Sequence, residues 1–377
     1  MSTAASRAAG RARISEIDAK ISSLKESIRV LTAEKLRTQE YLDSYAYPVL
    51  TLPNEITSEI FLKFIPEYPF PPPLTGSLSP TTLTYVCHRW REIALSTAAL
   101  WRGILVPVIF RDEPHLLSIL ESWLSRSGCL PLSILMEDIF DVLSEECVAS
   151  LVLHRARWEY VTLAVLNEPI IHSIQGAMPL LRQFEIRSNG VQDPLSPVRF
   201  CEVPRLRSAT MWELRGPIDV LPWSQLTSLT LVYVDEWPAI LKETVNLVHC
   251  HLFPYAEEDQ TIPDIRLLVL ESLVLSPFEV PDQPATNLLL TFITPALRTL
   301  EVPEAFLQPD PIATLASFIS KSECDLQKIR ITGDTCLVPE RVYRSGLKKI
   351  PRISFNRSLT DYNSYEKKLA RRRYKIL

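Results

Sequence analysis

Glycine is scarce in this chain, which has 9 glycines and 30 prolines among its 377 residues. No two of the glycines stand in a G-x-G arrangement. Loops that cradle phosphates need clustered glycines, because only then can backbone N–H groups approach the ligand closely. The sequence therefore argues against nucleotide-binding folds of that kind. The many prolines favour short segments separated by rigid turns.

The cysteines and histidines form no metal-binding or redox motif. The two closest cysteines, Cys324 and Cys336, are twelve residues apart, which excludes zinc-finger and thioredoxin spacings. G-x-S-x-G and H-E-x-x-H are also missing. In a strand, His249, Cys250 and His251 alternate between two faces and cannot converge on one metal. We therefore expect no catalytic residue, no metal and no cofactor.

Strong charge imbalance and long apolar runs are missing too. The formal net charge is only −4, so neither nucleic acid nor a membrane surface is expected as a partner. No stretch approaches the run of about 18 apolar residues that a membrane span needs. The N-terminal MSTAASRAAGRARIS lacks the apolar segment of a secretory signal. We expect a reducing, intracellular environment, cytoplasmic and/or nuclear, in which the cysteines act as small buried hydrophobes.

The sequence patterns divide the chain into five regions, and the predicted fold class is α/β. Residues 1–49 are predicted to form an amphipathic or coiled-coil helix, and residues 50–103 a small helical unit. A mixed α/β connector or capping segment is expected at 104–157, followed by a repeat region at 158–356. The tail, 357–377, is basic; we interpret it as a solvated helix end, with a nuclear-localisation or anion-binding patch as the alternative.

Apolar residues in the first region follow a heptad pattern. They recur at alternating spacings of three and four at Ile14, Ile17, Ile21, Leu24, Ile28 and Leu31. This pattern, with isoleucine at the a positions, is typical of two-stranded coiled coils. It predicts a possible homodimer through residues 14–31. The alternative is an amphipathic helix that folds back on the rest of the chain.

Residues 50–103 contain two amphipathic helix patterns joined by a proline-rich insert. The first opens at Leu52-Pro53, because proline suits the first helical position. Ser79-Pro80 provides a cap and a start for the second. The insert between them, PEYPFPPPLTGSLSP, is too rich in proline to form a regular helix or sheet.

The strings LPNEITSEIF, VCHRWREIA and ALW resemble the F-box. The residues that match its pattern in order are Leu52, Pro53, Glu55, Ile56, Ile60, Phe61, Val86, Cys87, Trp90, Arg91, Leu100 and Trp101. The resemblance implies a small all-α unit that binds a Skp-type adaptor and, through it, a cullin ubiquitin ligase. It makes every one of these residues except Arg91 a candidate for adaptor binding. The proline-rich insert is longer than a minimal F-box needs.

The frame L-x-x-L-x-L, with apolar residues at positions one, four and six, recurs nine times in residues 158–356. The copies begin at Trp158, Leu181, Leu206, Leu226, Leu247, Leu270, Leu297, Leu326 and Ile350, spaced by 20 to 29 residues. This period and frame resemble leucine-rich repeats. The resemblance implies an irregular solenoid with a parallel sheet. Only the copy at Leu181 also has the family's following Asn and apolar residue, at Asn189 and Val191.

Alternation along a strand predicts that positions four and six face the core and the residues between them face outward. On this interpretation the outward face is the target-binding surface. Its candidate residues are Gln183, Glu185, Arg187, Thr210, Trp212, Thr230, His249, His251, Glu301, Lys328 and Arg330. Trp212 is the best anchor because exposed tryptophans are enriched at binding hot spots. The alternative is that Trp212 packs under a loop.

Together these patterns predict a non-catalytic adaptor: a ligase subunit that docks through residues 50–103 and recruits an unknown protein target through the repeats. The alternative is a scaffold protein that uses the N-terminal helix and the repeat sheet without a ligase. An enzyme is the least favoured class, because the sequence contains none of the catalytic motifs described above.

Overall fold

The structure, a computed structural model, describes most of the chain as two compact units, Met1–Thr57 and Ser58–Leu377. The described residues are 4–43, 48–106, 113–138, 144–165, 172–187, 200, 202–213, 221–254, 262–277, 288–333 and 338–356. The predicted basic tail lies outside these ranges, as do Asn189 and Val191 of the one complete repeat match.

The first unit contains one long helix, α1 (Ala4–Asp43), and a 3-10 turn at Pro48–Thr51. Because α1 has no proline and only one glycine, nothing in its sequence interrupts the backbone hydrogen bonds. Arg13 pairs with Glu16 at 2.6 Å and Arg29 with Glu26 at 2.8 Å, one turn apart on the exposed surface. The sequence predicts a single helix over 12–45, and the structure confirms one continuous helix with an earlier start.

The unit boundary falls within α2 (Asn54–Phe64), and the other helices follow in the second unit. These are α3 His88–Ser96, α4 Glu113–Arg126, α5 Glu145–Val152, α6 Trp237–Glu243, α7 Pro311–Ser322 and α8 Glu340–Gly346. Side-chain caps mark the starts of α3, α5 and α7. The Asp310 carboxylate accepts hydrogen bonds from the backbone N–H groups of Ile312 and Ala313, and Pro311 occupies the first turn of α7.

An open, parallel sheet of eleven strands dominates the second unit, so the fold is mixed α/β. The strands are β1 Gly103–Val106, β2 Leu132–Asp138, β3 Trp158–Val165, β4 Gln183–Arg187, β5 Ser208–Trp212, β6 Ser228–Val232, β7 His249–Phe253, β8 Ile265–Arg266, β9 Ser272–Leu275, β10 Phe292–Ile293, β11 Thr299–Pro303, β12 Lys328–Thr332 and β13 Arg352–Asn356. β8 and β10 pair separately. The others lie side by side in chain order between the edge strands β1 and β13, as in a solenoid-like α/β fold.

The nine-copy frame found in the sequence is the core of this sheet. Positions one, four and six are buried in every copy, except that Phe355 in the last copy is half-buried. Position four of each copy lies opposite position four of the next, as Leu229 does with Cys250. The predicted strand positions and their inward faces are therefore confirmed.

Backbone hydrogen bonds at position two connect successive copies. Arg207 N–H donates to the Arg182 carbonyl at 3.0 Å, and Thr227 N–H donates to the Arg207 carbonyl at 2.9 Å. The same contact recurs at Val248, Glu271, Arg298 and Gln327. Main-chain groups thus link copies that mostly lack the Asn or Cys of the regular repeat pattern, because these groups are present whatever the side chain.

The sheet begins earlier than the repeat frame. β1 and β2 come from residues 103–138, and β2 pairs in parallel with β3, the first strand of the repeat region. The predicted connector therefore supplies strands to the same sheet, and one hydrophobic core runs from Phe61 to Ile353. Among the described helices, none is both long enough and apolar enough to cross a membrane.

Candidate functional site

Large aromatic residues form the core of the helical part of the second unit. Phe61 on α2 packs edge-to-face against Trp90 on α3, with ring centroids 5.0 Å apart. Trp101 is fully buried, its Nε1 donates a hydrogen bond to the Ala94 carbonyl at 2.9 Å, and its ring meets Trp123 of α4 at 5.2 Å. The candidate adaptor-binding residues Phe61 and Trp101, together with buried Leu100, are therefore held inside the protein.

Other apolar residues of the same segment remain at the surface. Ile60 on α2 is 50% exposed. Val86, at the turn before α3, is 57% exposed, and its neighbour Tyr85 is 78% exposed. When a partner covers an exposed branched side chain completely, its burial stabilises the complex by about 1.5–3 kcal/mol. The F-box-like residues thus divide into a buried set and an exposed set.

The remaining F-box-like residues lie at helix starts. In the first unit, Leu52 is half-buried, whereas Pro53, Glu55 and Ile56 are exposed, and the Pro53 carbonyl accepts the first backbone bond of α2 from Thr57 N–H at 3.0 Å.

In the second unit, Cys87 is the N-cap of α3, and its Sγ accepts a hydrogen bond from Trp90 N–H at 3.5 Å. Arg91 Nε donates to the Thr84 carbonyl at 2.8 Å and thereby connects α3 to the preceding 3-10 turn. Cys87, Trp90 and Arg91 therefore shape the local backbone as well as matching the F-box pattern.

The proline-rich insert packs on the first strands of the sheet. The Tyr68 hydroxyl donates to a Glu159 carboxylate oxygen at 3.0 Å, and the Arg102 guanidinium lies 3.6 Å from the Tyr68 ring centre. Gly103 approaches so closely that a Cβ there would lie 3.0 Å from Pro71 Cα. Burial first, and then the hydrogen bond to Glu159, raise the pKa of Tyr68 above its ordinary value. The insert therefore connects the helical segment to the sheet edge.

The outward face of the sheet presents three rows of side chains, at positions three, five and seven of the frame. Parallel register aligns them across neighbouring strands, as Gln183 aligns with Ser208 and Glu185 with Thr210. Most of the residues at positions three and five are half-buried, whereas those at position seven from β5 to β7 are fully buried. The rows at positions three and five of the outward face therefore carry its accessible polar groups, whereas the row at position seven is covered from β5 to β7.

Glu185 and Arg187 form an ion pair on this face. Arg187 Nε lies 3.0 Å from Glu185 Oε1, and the two side chains are only 12% and 6% exposed. Thr162 of β3 also donates its hydroxyl to Glu185. The Arg187 guanidinium stacks 4.3 Å from the Trp212 ring centre, a cation–π contact. Glu185 and Arg187 are therefore fixed in place rather than freely displayed.

Trp212 is buried, although alternation places it on the outward face. It is 3% exposed and packs with Val232 and Phe253, which occupy the same position of the next two copies, and with Tyr233. This second cluster is separate from the main core because position seven points away from position six. The expectation of an exposed tryptophan anchor is therefore wrong, because strand residues of the next two copies cover Trp212.

The two histidines of β7 differ in environment. His249 is exposed, whereas His251 is half-buried, with Nε2 3.0 Å from Ser276 Oγ and its ring 4.5 Å from that of Phe253. Cys250, between them, faces the core, and burial raises the pKa of its thiol to about 12. The three side chains do not converge, as the alternation predicts.

The C-terminal strands carry the accessible charge of the outward face. Arg330 Nη1 lies 3.3 Å from Glu301 Oε2, and Lys328 stands between Thr299 and Arg352 in register. Lys328, Arg330 and Glu301 are half-buried, as is Gln183 at the other end of the face. Of the predicted target-binding residues, His249 is exposed, and Thr210, Thr230 and His251 are half-buried like these four.

In the described part of the chain, no group of three or more His, Cys, Asp or Glu side chains is placed to hold a metal ion. A cavity of about 510 Å³ lies between the 3-10 turn Pro80–Tyr85 and α4; hydroxyl-bearing residues such as Ser77, Thr81 and Ser122 are frequent in its lining, and Arg126 is its charged residue.

Neither a protein-family model nor a curated protein matches this chain. The resemblances to the F-box and to leucine-rich repeats therefore rest on the ordered residues described above.

Proposed function

We propose that this chain is the substrate-recognition subunit of a Skp–cullin–F-box type ubiquitin ligase. Residues 50–103 bind the Skp-type adaptor, and the outward face of the sheet recruits a protein target. The observation that carries the proposal is the division of the F-box-like residues: aromatic residues hold the fold, while Ile60 and Val86 leave apolar surface for a partner.

The exposed set is what a docking unit requires. Truncating a buried tryptophan in so small a helical segment costs about 3–5 kcal/mol, so Trp101 acts mainly through the fold, whereas Trp90 is half-buried against the core. Ile60, Tyr85 and Val86 contribute little to the core because more than half of Tyr85 and Val86, and half of Ile60, stays in water. Adaptor affinity is therefore concentrated in the exposed residues.

The repeat region supports a leucine-rich-repeat assignment for 158–356. Nine copies at spacings of 20 to 29 residues contribute nine consecutive parallel strands, each with its apolar positions inside. The departure from the family is the missing Asn or Cys, for which the backbone bonds at position two compensate. In this assignment the chain does no chemistry. It raises the local concentration of a target near a charged ubiquitin carrier.

The C-terminal end of the outward face is the more accessible part of the target surface. Lys328, Arg330 and Arg352 lie on its last two strands, with Glu301 alongside. We expect target recognition there to be polar and sensitive to salt, because half-exposed charges are screened by ions.

Co-purification with a Skp-type adaptor tests the docking proposal. We expect the wild-type chain to co-purify and the variants Ile60→Glu and Val86→Glu to lose the adaptor, because each places a charge in an apolar interface. Val245→Glu is the matched control: Val245 is 58% exposed, almost the same as Val86, but lies outside the F-box-like segment.

All variants should keep the wild-type circular-dichroism spectrum and melting temperature. A wild-type chain that never retains the adaptor would contradict the proposal and leave the scaffold interpretation. If the Val245→Glu control lost the adaptor to the same extent, adaptor binding would depend on general surface polarity and not on this segment.

A further inference from the structure

The apolar stripe of α1 lies at the surface along its whole length. Its six members are between 43% and 63% exposed: Ile14, Ile17, Ile21, Leu24, Ile28 and Leu31. A stripe of branched residues at heptad spacing is stabilised by packing against an equally apolar surface. The charged residues beside the stripe decide which surface that is and in which direction it runs.

The heptad pattern assigns those flanking residues. With Ile14, Ile21 and Ile28 at position a, Asp18 and Lys25 fall at position e. Arg13, Lys20, Ser27 and Glu34 fall at position g. Side chains at e and g border the seam of a coiled coil and set partner choice and orientation through their charges.

A parallel pair of α1 helices gains nothing from these charges. In parallel coiled coils a g residue faces the e residue five positions later in the other chain. Arg13 would then face Asp18, but Lys20 would face Lys25. Each contact occurs twice by symmetry, so two attractive pairs are offset by two repulsive ones.

An antiparallel pair uses the same residues more favourably. When Ile14 lies opposite Leu31 and Ile21 opposite Leu24 of the other copy, all six layers of the seam are apolar. In this register e residues face e residues, so Asp18 faces Lys25.

The g residues of the same register are also complementary. Arg13 faces Glu34 and Lys20 faces Ser27, so no like charges meet. Arg13 now bonds to Glu16 of its own helix, but both side chains are more than half exposed, so exchanging that partner costs little.

The charges also fix the register of the antiparallel pair. A shift by one heptad in one direction places Asp18 opposite Asp18 of the other copy. A shift in the other direction places Lys25 opposite Lys25. Both shifts also remove apolar layers from the seam. One antiparallel alignment is therefore favoured by both packing and charge.

We propose that residues 14–31 of α1 pair with the same residues of a second copy of this chain as an antiparallel two-stranded coiled coil. The pairing goes beyond the proposed ligase function and does not depend on it. A self-complementary seam of this kind binds its own copy in preference to a heterologous helix, because symmetry places Asp18 against Lys25 and Arg13 against Glu34 twice and brings no like charges together.

Charge reversal at Lys25 separates the two orientations. In the antiparallel pair Lys25→Asp faces Asp18, so we expect dimerisation of the full chain to weaken by about tenfold, since the two symmetry-related Asp18–Lys25 contacts change from attractive to repulsive. In a parallel pair the same change would face Lys20 and strengthen the dimer. Sedimentation velocity over a concentration series measures the dissociation constant.

A second charge reversal, at Asp18, should restore the dimer. Asp18→Lys/Lys25→Asp restores the antiparallel pair, so its dissociation constant should return to within about twofold of the wild-type value. Arg37→Asp is the control, because it makes the same charge change on the helix surface away from the seam. A wild-type chain that stays monomeric at its highest soluble concentration, or a Lys25→Asp variant that dimerises more tightly, would overturn the proposal.

Cross-linking gives an independent readout of direction. Positions 10 and 35 flank the apolar seam, and no atom lies within 4 Å of a Cβ built on Gly10. In the variant Gly10→Cys/Lys35→Cys, an antiparallel dimer joins position 10 of one copy to position 35 of the other. Within one straight helix these positions are about 38 Å apart, too far for a disulfide. Peptide mass spectrometry that finds only 10-to-10 and 35-to-35 links would exclude the antiparallel arrangement.

Discussion

The F-box-like segment and the outward face of the sheet differ in which side chains they bury and which they expose. The segment buries Trp101, half-buries Trp90 and leaves Ile60 and Val86 exposed, whereas the sheet face buries Trp212 and pairs Glu185 with Arg187. The first arrangement suits a preformed apolar partner that covers a fixed surface. The sheet face holds Glu185, Arg187 and Trp212 in place and offers half-exposed polar side chains. Under the proposed function, this arrangement suits selection of a target by charge and shape.

The largest effect should come from Trp101→Ala in the segment. The side chain is fully buried, contacts Trp123 and donates a hydrogen bond to the Ala94 carbonyl. We expect the free energy of unfolding to fall by about 3–5 kcal/mol, measured by denaturant titration.

Val86→Ala is the companion variant, and it should change the same free energy by no more than about 0.5 kcal/mol. If the two variants were equally destabilised, the division into buried and exposed residues would be wrong.

A smaller effect is expected from Glu185→Ala on the sheet face. The substitution removes the carboxylate to which Arg187 and Thr162 donate, while the Arg187 side chain stays nearly buried. We expect a loss of about 2–3 kcal/mol in unfolding free energy. Glu185→Gln, which keeps the oxygen acceptor, should lose less. An unchanged denaturation midpoint in Glu185→Ala would mean that this pair is not part of the stable structure.

The mildest perturbation is thiol labelling, which compares Cys250 of the sheet core with Cys129 on the surface. The thiolate is the reactive form, and burial raises the Cys250 pKa to about 12, so at pH 8 only about one thiol in ten thousand is ionised. An ordinary thiol would be about a quarter ionised. Iodoacetamide followed by peptide mass spectrometry should modify Cys129 first and Cys250 only after unfolding. Early modification of Cys250 would contradict its inward placement.

The regular part of the fold was readable from the sequence. The nine-copy frame identifies strands and inward faces correctly, because every inward residue repeats the same local requirement: an apolar side chain at positions one, four and six. Local patterns likewise indicate α1 and the start of α2. The start predicted at Ser79-Pro80 is wrong for a helix: these residues begin a 3-10 turn, Pro80–Tyr85, and α3 starts only at His88. Such features depend on residues close in sequence, and short-range rules are sufficient for them.

What the sequence did not indicate depends on contacts between distant residues. The sequence predicts only that the proline-rich insert forms no regular helix or sheet, but Tyr68 bonds to Glu159, ninety-one residues away. The prediction that Trp212 is exposed was wrong because strand alternation indicates the face to which a side chain points, but not whether other residues cover it there. One signal was available: position seven is apolar in three successive copies, at Trp212, Val232 and Phe253, which is the pattern of a second buried row.

Pairing in chain order has a consequence for how such a protein can change over generations. Each inner strand touches only the strand before it and the strand after it, so gain or loss of one copy leaves the other strand pairs as they were. The number of strands between the F-box-like segment and the charged C-terminal strands can therefore vary without altering either end. Under the proposed function, lineages could lengthen or shorten the sheet to suit targets of different size while keeping the same docking residues.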